Sequence, residues 1–256
     1  MRFPDRGEPA KDLFIKLLPR HVGETDDPIE RRLILEYGAV FTARGGAAPP
    51  TRVVFRDDAE VNAFQNSLQR STARLGQFDV TLQTAAMDAL LEACRSAKLG
   101  GLTITPRGRE AAARSYAETV ELWASRVEPA FEHWANEGRL SIADSERIRA
   151  LAPFDQVSEV LQLEGEGLWF SKDLSKTILH SVAPPGASQH LSLLAFDVVE
   201  FDEPEVRNIL ARHEWFQTVT SDLPHFTFLG MSEEELPAAG LRRVESNGRE
   251  FWVPDM

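Results

Sequence analysis

The sequence predicts an α+β protein in which a small antiparallel sheet packs with helices. Two observations carry this. Segments with apolar residues at helical spacing alternate irregularly with short β-like runs, without the regular strand–helix–strand series of a parallel sheet. Of 256 residues, 43% are hydrophobic, with no internal repeat or low-complexity tract, which is the balance of a folded globular chain.

Residues 1–81 read as a variable N-terminal section. Residues 33–42 (LILEYGAVFT) and 51–55 (TRVVF) are β-like, and the intervening ARGGAAPP predicts a hairpin between them. Asp57 and Asp58 then cap a helix starting near Ala59, with Val61, Phe64 and Leu68 on one face.

Residues 82–256 read as a second unit. Met87, Leu90, Leu91 and Cys94 recur at helical spacing, and that helix ends before Gly100-Gly101. LTIT (102–105) predicts a short strand. Residues 109–135 predict helix interrupted at Pro129, and Ser141 an N-cap for a further helix. After a loop at Pro184-Pro185-Gly186, HLSLLAFDVVEF has a β-like core and EPEVRNILARHEW is an amphipathic helix. WFQTV and HFTFLG read as strands, and the chain closes as a hairpin around Asn247-Gly248.

Charge and composition narrow the function. With 28 basic against 40 acidic residues the net charge is −12, and no basic stripe offsets it, so nucleic acid is excluded as the expected partner. No stretch approaches the ~20 apolar residues of a membrane span. The single cysteine, Cys94, excludes an intramolecular disulfide and a thiolate-rich zinc site; it reads as a small core residue. The segment MRFPDRGEPAKDLF lacks the apolar run of a secretion signal. The expected location is therefore cytoplasmic if this is the natural start, and periplasmic or cell-envelope if a signal has been removed.

Two of the six histidines stand in informative surroundings. Ser188-Gln189-His190 is followed seven residues after the histidine by Asp197, and Asp222 precedes His225 by three. Two imidazoles and a carboxylate form a common catalytic zinc shell that leaves a position for water, and a further carboxylate is then needed to move the water's proton. Asp222 is the candidate. Strand parity sets a condition: residues an odd number apart face opposite ways, so His190 and Asp197 share a metal only if the chain bends between them. The same holds for Asp222 and His225, with Pro224 placed to reorient them. On spacing alone His-x6-Asp is weak evidence, since such spacings arise by chance, and a core-histidine and turn-aspartate reading is favoured over a metal site. Ser188 has no partners that make a nucleophile triad. His21, His133, His180 and His213 read as surface or interface residues, His180 lying closest in sequence to the loop. The tryptophans read as core and groove walls.

The segment SVAPPGASQHLSLLAFDV resembles the zinc motif of the D-alanyl-D-alanine carboxypeptidases and dipeptidases, a group that includes lysostaphin-type enzymes and the Hedgehog domain. Their pattern is Ser-x-His-x-x-Gly-x-Ala-x-Asp, and Ser188, His190, Ala195 and Asp197 fall on it. SDLPHFTFLG is similar to the family's Glu-Pro-Trp-His-x-x-Tyr-Val-Gly, with His225 at the last ligand and Asp222 at the catalytic glutamate. Ala113-Arg114-Ser115-Tyr116 resembles the Tyr-Arg-Ser-Tyr segment, whose arginine meets substrate and oxyanion. The likeness spans roughly residues 82–230. It departs at Leu193 for glycine, Asp222 for glutamate and Leu223-Pro224 for Pro-Trp. The distance from Arg114 to His190 implies a helical insertion near 125–175.

The resemblance implies a Hedgehog/D-Ala-D-Ala peptidase-like fold and a metallopeptidase using Zn2+ on His190, Asp197 and His225. Asp222 and Arg114 would be catalytic, and Arg114 and Ser188 would meet the substrate, a short peptide or peptidoglycan stem peptide of the bacterial cell wall. A different class is also open: a metal-binding relative that binds cell-wall peptide or regulates without efficient cutting.

Overall fold

The computed structural model describes residues 13–256. The reading of the first twelve residues and the side chain of His21 lie outside what it describes. Helices take up 45% and small antiparallel sheets 14% of the chain, which makes the class α+β.

The N-terminal section is helical where strands were expected. After α1 (Leu13–Leu17) and α2 (Arg20–Gly23) comes α3 (Pro28–Tyr37). The Asp27 side chain caps α3 by accepting from the Ile29 N–H at 2.8 Å, and Pro28 occupies the first turn. Residues 33–42 therefore form the end of α3 and a 3-10 turn, Gly38–Thr42, and residues 51–55 are irregular; the expected hairpin is absent. An apolar run cannot by itself separate helix from strand, and burial of Leu33, Ile34 and Tyr37 follows the helical period. The capped helix expected near Ala59 is α4 (Asp58–Asn66), with Asp57 as its cap and Val61 and Phe64 buried. A real hairpin follows where none was expected: β1 (Arg70–Leu75) pairs with β2 (Phe78–Gln83) around Gly76-Gln77.

In the second part, α5 (Thr84–Leu99) ends before Gly100 as expected. LTIT is not a strand. Instead residues 105–112 run along the edge of the site strand described below, through a bridge from Pro106 to Val198 and bonds that link Arg107 and Ala111 to Asp197. Helix starts at 116, not 109: α6 (Tyr116–Asn136) opens on a Ser115–Glu118 capping box and continues unbroken through the exposed Pro129. Helices α7 (Ile142–Arg149, capped by Ser141) and α8 (Asp155–Gly165) complete the helical segment near 125–175. Strand β3 (Ala195–Asp197), helix α9 (Pro204–Arg212) and strands β4 (Trp215–Phe216) and β5 (His225–Phe228) follow. WFQTV is thus a strand over two residues only. The closing hairpin, β6 (Leu241–Ser246) and β7 (Arg249–Pro254), turns at Asn247-Gly248, both at positive φ, as Asn-Gly turns require.

Three short strands make the sheet that matters, in the order β3-β5-β4, all antiparallel. Its register sets Asp197 directly opposite His225 and Phe196 opposite Phe226. Cross-strand partners share a face, so the two aromatics enter the core together while the two polar groups stand side by side. The N-terminal section and the rest share one core: Phe14, Leu33, Ile34 and Val54 cluster with Trp123, Phe196, Trp215 and Phe228. Two glycines show how close the sections come. A Cβ on Gly186 would lie 1.8 Å from the Phe55 carbonyl oxygen, and one on Gly230 would lie 2.0 Å from that of Arg44. The two backbone segments that flank the site are thereby clamped by the front section. Among the described residues, no helix is long and apolar enough to cross a membrane.

Candidate metal centre

His190, Asp197 and His225 converge: one ligand atom from each lies within 4.8 Å of the others. The parity conflict is resolved by a bend. Residues Gln189–Ser192 form a 3-10 turn, and Leu193 closes it in the left-handed region at φ 59° and ψ 29°. This is the position where the resembled motif carries glycine, the residue that adopts such a conformation without steric cost. The Leu193 side chain is buried, so packing holds the backbone where glycine would go freely.

The hydrogen bonds fix which nitrogen of each ring faces the site. His190 Nδ1 lies 2.7 Å from the carbonyl oxygen of Ala112, which can only accept, so Nδ1 carries the proton and Nε2 presents a lone pair. Gln189 Nε2 donates to the Tyr37 carbonyl at 2.8 Å, which orients its amide. Its Oε1 therefore accepts from His225 Nε2 at 2.8 Å, and also from the Thr227 hydroxyl. In the neutral ring Nδ1 of His225 is then the free lone pair. Both lone pairs point at one carboxylate oxygen, Asp197 Oδ1, at 3.4 Å from His190 Nε2 and 3.2 Å from His225 Nδ1. The rings stand nearly perpendicular, 77° apart.

Three electron-rich atoms meeting without a proton between them repel one another unless a cation joins them. A tetrahedral ion with bonds of about 2.0–2.1 Å has ligand–ligand edges of roughly 3.3–3.4 Å, close to the two nitrogen–oxygen separations of 3.4 and 3.2 Å. This buried His-Asp-His group could hold a metal ion. Burial pushes the His190 imidazole below its ordinary value, against the pull of Asp197, which keeps it neutral as a ligand must be. Burial alone would raise Asp197, yet the carboxyl is held well below the usual carboxylate range by the attraction and hydrogen bonding it gains when His190 or His225 carries a second proton, a part that a bound cation would take over between the neutral rings.

A cavity of about 220 Å³ opens against His190 and His225. The other expected residues all line it. Arg114 sits just before α6, not within a helix, and donates from Nη1 to Ser188 Oγ at 3.2 Å; its buried Nε has no partner among the described residues. Asp222 lies in the turn that Pro224 closes: the His225 N–H donates to the Asp222 carbonyl at 3.1 Å, bringing both residues to the cavity. The Asp222 side chain is solvent-exposed and stands outside the converging group. His180 lines the cavity too. His133 packs on Trp134, and His213 bonds Ser96, both away from it. Spacing gave no sign of Gln189, Tyr37 or Arg126, which also line the cavity. For Gln189 the available signal was its place between Ser188 and His190. Burial holds the Tyr37 phenol above its ordinary value, so it stays protonated and donates to the Leu179 carbonyl at 2.6 Å.

No protein-family model matches the chain, and a search of curated proteins finds no match.

Proposed function

We propose that this chain is a zinc-dependent peptidase of the D-alanyl-D-alanine carboxypeptidase type, acting on a short peptide such as the stem peptide of the bacterial cell wall. The observation that carries the reading is the convergence of two oriented imidazole lone pairs on Asp197 beneath a cavity. It is supported by the left-handed turn at Leu193 and by the order of the Arg114, Ser188–Asp197 and Asp222–His225 segments. Zn2+ suits a set of two imidazoles and one carboxylate and, when bound, supplies a water of lowered pKa and a polarised carbonyl.

The chain's own residues do the rest. Ala112 and Gln189 hold the ligand rings in the required tautomers. Asp222, at the cavity, takes a proton from the attacking water and passes it to the leaving amine; the hydroxyl stays on the acyl carbon as the C–N bond breaks. Arg114, with an unpartnered buried Nε, offers donors to the carbonyl oxygen as negative charge develops there. Ser188 fixes that guanidinium.

A second reading, a metal-binding module that binds peptide without cutting it efficiently, is favoured by one observation: Asp222 is exposed and one methylene shorter than glutamate. The first experiment is metal content of the purified protein beside His190→Ala. The expected result is about one zinc per chain, lost in the variant, with hydrolysis of D-Ala-ended peptides that falls at least ~100-fold in Asp222→Ala. Zinc without hydrolysis selects the binding module. No metal in either protein after zinc is supplied sinks both readings.

A further inference from the structure

The cavity has a second wall that none of the metal-motif residues builds. It is made by Arg126 on α6 and by residues 179–183. Arg126 lies at the start of the helical segment near 125–175, which the resemblance reads as an insertion, and residues 179–183 follow directly after it. Arg126 is held by hydroxyls: its Nε donates to Ser181 Oγ at 2.9 Å and its Nη1 to Ser125 Oγ at 2.8 Å. Among the described residues it forms no ion pair, and its Nη2 has no hydrogen-bond partner. Carboxylates outnumber cations 40 to 28 in this chain, so an arginine fixed by two serines and in no ion pair among the described residues is available to an incoming anion. Beside it lie Leu122, Leu179, Val182 and Ala183, a small apolar surface.

We infer that Arg126 is a specificity-determining residue that receives the substrate's terminal carboxylate, with a small apolar terminal side chain against Leu122 and Leu179. The inference rests on the peptidase reading and deepens it, by naming the side chain that recognises the substrate's free terminal acid. The two guanidiniums then divide the work: Arg114, tied to Ser188, faces the scissile carbonyl, and Arg126, tied to Ser181, anchors the free acid. The cavity volume of about 220 Å³ suits this, being below the usual range for ligand pockets and sized for one or two residues.

The test pairs kinetics with binding on the zinc-loaded full chain. Peptides ending in D-alanine are compared with the same peptides ending in D-alanine amide, in wild type, Arg126→Gln and Arg126→Lys. The ratio of acid to amide kcat/KM is expected to fall about ten- to hundred-fold in Arg126→Gln, mostly through KM, and to recover in part in Arg126→Lys. Equilibrium binding of N-acetyl-D-alanine and its amide, with the L forms beside them, gives a readout that needs no turnover. Wild type is expected to prefer the acid at least tenfold, and Arg126→Gln to lose that preference. If wild type cuts nothing but shows this Arg126-dependent preference, the inference stands and the peptidase reading falls. If wild type does not discriminate acid from amide, or Arg126→Gln discriminates as well as wild type, the inference is overturned.

Discussion

The two walls of one cavity are assembled in different ways. On the metal wall, His190, Asp197 and His225 come from a turn and two paired strands that are near neighbours in sequence. Register, one left-handed residue and one proline turn suffice to bring them together. On the opposite wall, Tyr37 arrives from α3, Arg126 from α6 and Leu179–Ser181 from a loop after α8. Nothing in their spacing announces that they meet. The metal wall needs specific atoms at specific distances, and short-range backbone geometry delivers them. The far wall needs only shape and one charge, which long-range packing can supply from anywhere.

Gln189 joins the two walls, and replacing it is the strongest way to break the comparison. Its Oε1 fixes His225 and its Nε2 bonds Tyr37 across the cavity floor. Gln189→Ala keeps every ligand atom but removes the group that selects the tautomer of His225. Loss of such an orienting partner typically costs 10–100-fold in metal affinity, so zinc affinity measured by chelator competition is expected to fall by about that factor. Unchanged affinity would show that strand register alone orients His225, and that the metal wall is independent of the front section.

Legibility in the sequence follows the same division. The helix at α5, the capped helix at α4 and the Asn247-Gly248 hairpin were readable because each rests on local chemistry: a period, a cap or a turn. His190, Asp197 and His225 were singled out through the resemblance of their segments to a known motif, not by spacing alone. Residues 33–42 misled because an apolar run carries no direction, and the stronger signal was Asp27-Pro28 just before it. The β1–β2 hairpin was missed because its first strand is largely polar and solvent-facing, so it lacks the apolar alternation that marks a strand. Pro129 lies on the exposed side of α6, where a lost N–H bond can be met by water, and the helix survives it. Arg126 could not be read as a site residue, since only the fold sets it beside Ser181.

Leu193 tests the metal wall from within. Its left-handed backbone costs about 1–2 kcal/mol for a residue with a Cβ, while truncating a fully buried leucine costs about 2–5 kcal/mol. The packing term is the larger, so Leu193→Gly is expected to lower stability by roughly 2 kcal/mol in denaturant unfolding, although it restores the motif glycine. Zinc affinity is expected to stay near wild type, since the turn that aims His190 is retained. A more stable Leu193→Gly protein would mean that strain at this turn outweighs the core contact.

The smallest effect probes the far wall through Glu164 on α8. This buried carboxylate accepts from the Ile178 N–H at 2.6 Å, just before Leu179, His180 and Ser181 reach the cavity. Burial raises its pKa, against hydrogen bonds from Thr177, Ile178 and Phe170 that pull it down. A carboxyl raised in the folded state binds its proton there more tightly than in the unfolded chain. Its contribution to stability is therefore full at low pH and declines as pH rises from the ordinary glutamate range through the raised folded value. Glu164→Gln keeps an oxygen for the Ile178 N–H and removes the titration. Over that window the variant is expected to gain on wild type, read as the pH dependence of the unfolding midpoint. Parallel pH profiles for the two proteins would show that Glu164 is effectively solvated, and that the loop carrying Ser181 is anchored by its apolar residues, Ile178 and Leu179, alone.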